Sequence, residues 1–572
     1  MHHFTQNGKL FFKNKLLLSG TLLTIILPTL YLCYKLIYYN SIFPTASDRS
    51  MFSSYLLIDT LELPLFLFAL FALLSYEAFR AIWHAHAQEI LAITRHGLSS
   101  FYIDTGLLFL LFSIILSVFI LIENVVYFAC IHLLNRETFL YLFLHILLNI
   151  FLVSSLGVIT GLLFSVNQGK FSGYIGILVC ILLISPATET LNQIIFQGTG
   201  LKAYYLTALF QVCSPNLKFT SNMLLGYPIL PYRFAVVLFW IFLLFGIFML
   251  RLHKVRQIKR SRSIAGASLL CALIGLVVLA LPSSKSEINF SPNGASFHDI
   301  FYYSNEKDLV TEEKAAFHIL SYRLQFSIAR ELSAEATIEL DRSDLEEYPL
   351  TLYHGYRVKK VLDQNQNALS FDRKGDALIV HGSGNCSSIT ILYHGSSPQF
   401  YSNYQGTALP GYLAYYPLPG CLSLYDMENQ SLRTDLVKEE ADFHLTVRSP
   451  RKIYCNLPET SEGTFEGRSN CVTLLSGFLK EKEIDGIRIV YPYLDLSCTE
   501  ENITAIFDAI QKIEASNPDI PYRITGKKVM VLPNVNQHIG TVFEDDHILV
   551  TFGPWGLDQD YNSFLNGVQP EG

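Results

Sequence analysis

The sequence predicts a membrane-embedded α-helical half followed by an extracytoplasmic, mainly β-sandwich half that ends in a small α/β part. Three observations carry this. Seven long apolar stretches fill the first 281 residues, each close to the roughly 20 residues a helix needs to cross a bilayer core. Charge divides at the same place: 18 Lys+Arg stand against 9 Asp+Glu through residue 283, and 24 against 40 thereafter. After Tyr322, period-two alternation broken by Gly, Asn, Asp and Ser turns replaces the apolar runs.

The apolar stretches are read as spans at 16–39, 55–79, 106–130, 139–165, 173–191, 234–250 and 264–281. Without water at that depth the backbone must bond to itself, which makes each a helix. Basic residues in short loops set orientation, because Lys and Arg stay in the cytoplasm. Lys9, Lys13 and Lys15 precede the first span, Arg80 and Arg95 follow the second, and Lys170 follows the fourth. Arg251, Lys254, Arg256, Lys259, Arg260 and Arg262 follow the sixth. The alternate loops carry Arg49, Arg136, Lys202 and Lys218, more thinly spread. The reading is a multi-pass cell-membrane protein with a cytoplasmic N-terminus and an extracytoplasmic C-terminal domain. The first span is too long for a cleaved signal peptide and is followed by further spans. The acidic second half argues against nucleic acid and fits a soluble outer face.

Within the membrane half, the link 80–100 has a helical pattern. Trp83, Ala87, Ile90, Leu91 and Thr94 share one face, and His84, Gln88 and Arg95 another. Such a helix either transmits force from a soluble partner or rests on the headgroups of membrane lipids. His84 and His86 are two residues apart and point away from each other, so they are no metal pair. The segment 197–230 is apolar but broken by Gly198, Gly200, Pro215, Gly226 and Pro228, which suits a re-entrant segment at the outer face. Asp59, Glu62, Glu123 and Glu189 cluster toward the outer leaflet as candidate outer-mouth acids. The seventh span brings Gly266, Ala267, Ser268, Ala272 and Gly275 for close helix packing.

Of the 10 cysteines, Cys33, Cys130, Cys180 and Cys271 lie in spans, Cys213 in an outer loop and five in the second half. Cys455 and Cys471 bracket a Gly/Ser/Glu-rich stretch and are a candidate disulfide. No cysteine spacing matches a zinc site.

The basic lead-in, six spans, amphipathic link and re-entrant segment resemble the type-2 ABC transporter permeases over residues 9–253. The resemblance implies that 80–100 is a coupling helix docking into an ATPase subunit, with Trp83, His84, Glu89 and Arg95 at the contact. The run His86-Ala87-Gln88-Glu89-Ile90-Leu91-Ala92-Ile93-Thr94-Arg95 carries that likeness. No phosphate-binding Gly-x-x-x-x-Gly-Lys-Ser/Thr loop occurs, so ATP would be used by a separate partner subunit and no cofactor is bound by this chain.

In the second half, Tyr322, Leu324, Phe326 and Ile328 mark one strand, and Ala336, Ile338 and Leu340 the next. Strands at 377–380, 389–393, 443–447 and 487–490 follow and read as a β-sandwich over 284–497. From 498 the pattern becomes α/β: Thr499 caps a helix whose stripe is Ile503, Ile506, Phe507, Ile510 and Ile513, and strands at 529–532 and 547–552 follow. The segments Ile389-Thr390-Ile391-Leu392-Tyr393-His394-Gly395, Tyr415-Tyr416-Pro417 and Phe443-His444-Leu445-Thr446-Val447-Arg448-Ser449-Pro450 resemble the N-terminal sandwich of M1 aminopeptidases. Residues 499–552 resemble the opening of that family's catalytic domain. That chemistry needs His-Glu-x-x-His to hold zinc and a base, and no two of the 16 histidines stand four apart. The Glu544-Asp545-Asp546-His547 run reads as a polar turn.

Together these readings point to the permease subunit of an ATP-driven exporter, without enzyme motifs of its own. It would pair with a second, identical or different permease and move a peptide-like or amphipathic substrate. The alternatives are a membrane-anchored peptide-binding sensor or scaffold, and a truncated zinc aminopeptidase fusion.

Overall fold

The computed structural model describes residues 15–42, 63–84, 97–130, 132–166, 170–185, 187–199, 208–210, 212, 224–226, 229–256, 260–280, 299, 302–304, 312–397, 399–429, 431–436, 439–494, 498, 500–532, 540–551 and 553–567. The chain forms two compact units. One is helical and the other mainly β.

The helical unit contains α1 (Lys15–Ile42), α2 (Leu63–His84), α3 (Gly97–Cys130), α4 (Arg136–Ile146) and α5 (Val153–Ser165). It continues with α6 (Lys170–Ile184), α7 (Ala187–Thr199), α8 (Pro231–Arg256) and α9 (Ser261–Ala280). A π-helical turn, Leu147–Leu152, fuses α4 to α5. Among the described residues, five helical stretches are long and apolar enough to cross a membrane: Leu63–Arg80, Phe101–Val126, Arg136–Ser165, Pro231–Lys254 and Ser261–Ala280. The first and fifth expected spans supply only the shorter apolar stretches Leu18–Leu27 and Phe171–Ile184 among the described residues. The fifth was expected to run to 191. Instead α6 stops at Ile184 and α7 starts at Ala187, on either side of Pro186, whose ring and missing amide oppose helix continuation.

Small residues let α2 and α5 approach closely. A Cβ at Gly161 would stand 2.0 Å from Ser75 Oγ and 2.1 Å from the Ala72 carbonyl; at Gly157 it would stand 2.5 Å from the Phe68 carbonyl. Ser75 Oγ donates across the gap to the Val158 carbonyl at 3.1 Å. This is a Gly-x-x-x-Gly crossing, where missing side chains permit backbone contact. The α8–α9 hairpin uses the same device: Ser268 Oγ donates to the Phe242 carbonyl at 2.7 Å, and Ala265 and Ala272 are buried. Gly266 faces open space, so the close approach there belongs to Gly246, whose Cβ would lie 2.8 Å from Leu269.

The β unit is built on a seven-stranded sheet. Its order is Glu459–Ser461, Thr464–Ser469, Ala441–Arg448, Ile319–Ile328, Leu332–Leu340, Ser388–Gly395 and Tyr356–Asp363. Ile319–Ile328 pairs in parallel with Ala441–Arg448, and the other neighbours are antiparallel. Tyr322, Leu324, Phe326 and Ile328 all point inward, as the alternation predicts, and the Tyr322 ring stacks on Phe443 at 4.8 Å. A four-stranded sheet (Phe371–Lys374, Ala377–His381, Glu347–Thr351, Leu418–Pro419) and a three-stranded one (Tyr454–Cys455, Leu474–Ser476, Thr407–Leu409) share its core.

A second core lies under a five-stranded sheet, ordered Leu479–Ile484, Ile487–Pro492, Lys528–Leu532, His547–Thr551 and Val542–Phe543. The strand at 487 thus joins this C-terminal layer instead of the sandwich. Between Ile487–Pro492 and its parallel neighbour Lys528–Leu532 runs α10 (Glu500–Ser516), the crossover that parallel pairing requires. Its Ile503, Phe507 and Ile510 bury against Val529, Val531, Ile548 and Val550. The chain then adds α11 (Leu557–Leu565).

Candidate functional site

The described members of the sequence-derived site residues lie on several different elements. Trp83 and His84 form the last turn of α2, which continues past the expected end at 79. Glu89 and Arg95 lie outside the described residues, as do Asp59 and Glu62. Glu123 sits on α3, where its Oε1 accepts from Thr29 Oγ1 of α1 at 2.9 Å. Glu189 lies on α7. Cys455 and Cys471, the expected disulfide pair, are both buried in the β unit. Burial pushes the Cys455 thiol up to about 12.

The densest polar arrangement sits where the sandwich meets the α/β layer. His547 opens its strand at zero exposure, with Nδ1 2.7 Å from Asp546 Oδ1 and Nε2 2.8 Å from Thr473 Oγ1. Asn456 Nδ2 donates to Asp546 Oδ2 at 2.8 Å and to the Cys471 carbonyl at 3.0 Å. Its Oδ1 accepts the Thr473 amide at 2.8 Å. Burial alone would raise the Asp546 carboxyl. The His547 hydrogen bond and charge, with donors Asn456 and Ser469, outweigh it and hold the group below its ordinary value. Beside it, Lys528 Nζ reaches the Cys455 carbonyl at 2.8 Å and Glu481 Oε1 at 2.7 Å.

Carboxylate, imidazole and hydroxyl in series have the connectivity of a hydrolytic triad. Here both the imidazole and the hydroxyl are buried to zero exposure, and Thr473 Oγ1 also accepts the Gly411 amide at 2.9 Å. The hydroxyl is committed to the fold. The network acts as a clamp between a sandwich loop and the strand His547–Thr551.

A second buried network surrounds His354. Its ring stacks on Tyr302 at 3.5 Å, with Nδ1 3.2 Å from Asp376 and Nε2 3.6 Å from Asp299. Tyr353 donates to Asp299 at 2.5 Å and Tyr303 to Asp376 at 2.8 Å, which fixes the short stretch that enters the sandwich. His318, His381, His394 and His444 likewise each stand beside a carboxylate. Among the described residues no group of three or more His, Cys, Asp or Glu side chains is placed to hold a metal.

The helical unit holds a buried polar array that joins three side chains. Arg233 Nη2 donates to Asn149 Oδ1 at 3.0 Å, and Asn149 Nδ2 lies 3.1 Å from His145 Nδ1. Asn149 is on the π-helical turn, and all three side chains are buried. Neither the array nor the Thr473 clamp stands out in the sequence, since each depends on residues far apart in the chain. The only local signal was the acid–histidine adjacency at Asp546-His547.

No protein-family model matches the chain, and no curated protein matches it. Among solved structures, the chain is similar to an M1 zinc metallopeptidase from Deinococcus radiodurans, at 14% identity and a TM-score of 0.30 over 42% of this chain and 61% of that one. It is also similar to an aminopeptidase N family protein from Idiomarina loihiensis, at 14% identity and a TM-score of 0.27, over 40% of this chain and 42% of that one. The chain thus spans about three fifths of the first of these structures. A multi-pass helical region is joined to a mainly β domain.

Proposed function

We propose that this protein is a membrane-anchored, non-hydrolytic scaffold whose β unit binds an extracytoplasmic partner, with peptides as the expected ligand class. The observation that carries the reading is how the acid–base side chains of the β unit are used. His547 and Thr473, the pair with catalytic connectivity, are locked in a buried clamp. The sequence lacks the paired histidines that zinc peptidase chemistry needs. The test uses the full chain in detergent with zinc, aminoacyl anilides and an immobilised peptide panel. Capture of peptides without anilide turnover is expected. Turnover that disappears in a folded His547→Ala variant, or capture of no peptide at all, overturns the reading.

A second reading keeps the exporter subunit working with a separate ATPase. The buried Arg233–Asn149–His145 array favours it, because ionisable groups among membrane helices are costly and tend to be functional. Co-purification of an ATPase, and its uncoupling by Trp83→Ala or Glu89→Ala, is expected under that reading. Unaltered coupling in both variants removes it.

A further inference from the structure

Residues Asn222–Gly226 come from the loop that precedes α8, yet they belong to the β unit. Leu224 is fully buried and Leu225 nearly so, both within the sandwich core. Their backbone is held as a bound peptide would be. The Phe478 amide donates to the Leu224 carbonyl at 2.7 Å, and Gln405 Nε2 donates to the Leu225 carbonyl at 2.8 Å. Two glycines make room. A Cβ at Gly477, where φ is +149°, would stand 2.3 Å from the Leu224 carbonyl. One at Gly406 would stand 2.1 Å from Leu225 Cδ2 and 2.7 Å from the Ser476 carbonyl. Glycine at such points lets another backbone approach closely. The segment is a turn, with Gly226 at φ +68°, held by these hydrogen bonds and by burial of its two leucines.

We propose that Gln405, Gly406, Gly477 and Phe478 form a peptide-binding site whose resident occupant is the turn at residues 224–226, and that the site accepts a peptide carrying the same Leu-Leu-Gly turn in trans. The occupant lies five residues before Pro231, the first residue of α8. Among the described residues, the β unit is therefore fastened in two ways: covalently after α9, and non-covalently through this strap. A ligand that displaces the strap frees one attachment. This names the ligand site of the scaffold reading, and release of the β unit is measured whether or not foreign peptides are captured elsewhere on it.

The experiment uses the full chain in membranes, with a protease site placed within residues 284–292. After cutting, the β unit is expected to stay with the washed membranes. A synthetic peptide of residues 221–227, Ser-Asn-Met-Leu-Leu-Gly-Tyr, is expected to release it, and a scrambled peptide is not. Leu224→Asp changes the strap and leaves residues 293–572 untouched, and is expected to raise the released fraction about tenfold without peptide, equivalent to about 1.4 kcal/mol. Gly406→Val is expected to act in the same direction, with thermal melting of the released fragment reporting its fold. Release from wild-type membranes on cutting alone overturns the proposal. So does retention in both Leu224→Asp and excess peptide.

Discussion

At the scale of single residues, Asp546 is the most exposed point of leverage on the buried clamp. Its carboxyl is held below the ordinary value, so it stabilises the fold when ionised. That stability is fully present above the unfolded carboxyl pKa and is lost as pH falls through the lower folded value. Asp546→Asn removes the acid-linked loss but keeps only one acceptor oxygen for His547 Nδ1 and Asn456 Nδ2, so one of these bonds is lost, and a buried group left unsatisfied costs about 1–3 kcal/mol. The expected outcome is a lower melting temperature than wild type at pH 7 and a flatter profile between pH 5 and 3, on the order of the carboxyl range. Melting curves of the full chain that run parallel across that range would show Asp546 is not the linked group. The sequence offered only the Asp546-His547 adjacency. It could not offer Thr473 or Asn456, because hydrogen-bond partners so distant along the chain are brought together only by the closed sandwich.

Elements were more legible than residues. Alternation at Tyr322, Leu324, Phe326 and Ile328 placed a strand correctly, because a sheet with one buried face imposes period two. The stripe Ile503, Phe507 and Ile510 placed α10 for the corresponding helical reason. Periodicity failed where both faces are apolar. A continuous greasy run at 173–191 reads as one helix, and Pro186 was given too little weight against it. Helix partners were also invisible, since lipid-facing and protein-facing residues are chemically alike in a membrane. The α2–α5 crossing shows what was missed: Gly157 and Gly161 are four apart and nearly touch the α2 backbone. Gly161→Leu has nowhere to put a side chain, because the nearest atoms include backbone of Ala72 and Tyr76 that cannot rotate away. The overpacking is expected to cost at least about 1–3 kcal/mol. In detergent the variant should melt earlier and cross-link less efficiently between cysteines introduced on α2 and α5, while Gly266→Leu, which meets open space, should behave as wild type. Equal behaviour of the two variants would contradict the crossing.

For the whole molecule, the strap and the charge pattern bear on the same question from different directions. Residues 224–226 and the sandwich belong to one folded body, so they must lie on the same side of the membrane. The chain between them contains two helices of membrane-crossing length, α8 and α9, an even number that returns it to its starting side. Their connection is then on the opposite side, and it is the most basic segment of the membrane half: Arg251, Lys254, Arg256, Lys259, Arg260 and Arg262. Retention of such a cluster in the cytoplasm would place both the strap and the acidic β unit outside, the orientation that the labelling below tests. Two shorter apolar helices, α1 and α6, do not enter this parity, so it stands whether the full complement of spans is five or seven. The expected result is that a membrane-impermeant thiol reagent, applied to intact cells after all native cysteines are replaced, labels a cysteine at Glu462 but not one at Lys254. Glu462 is an exposed position in a turn of the seven-stranded sheet. Labelling of position 254 from outside, with 462 protected until the cells are opened, would invert the topology. It would leave the strap intact while moving the proposed scaffold, and any partner it binds, into the cytoplasm.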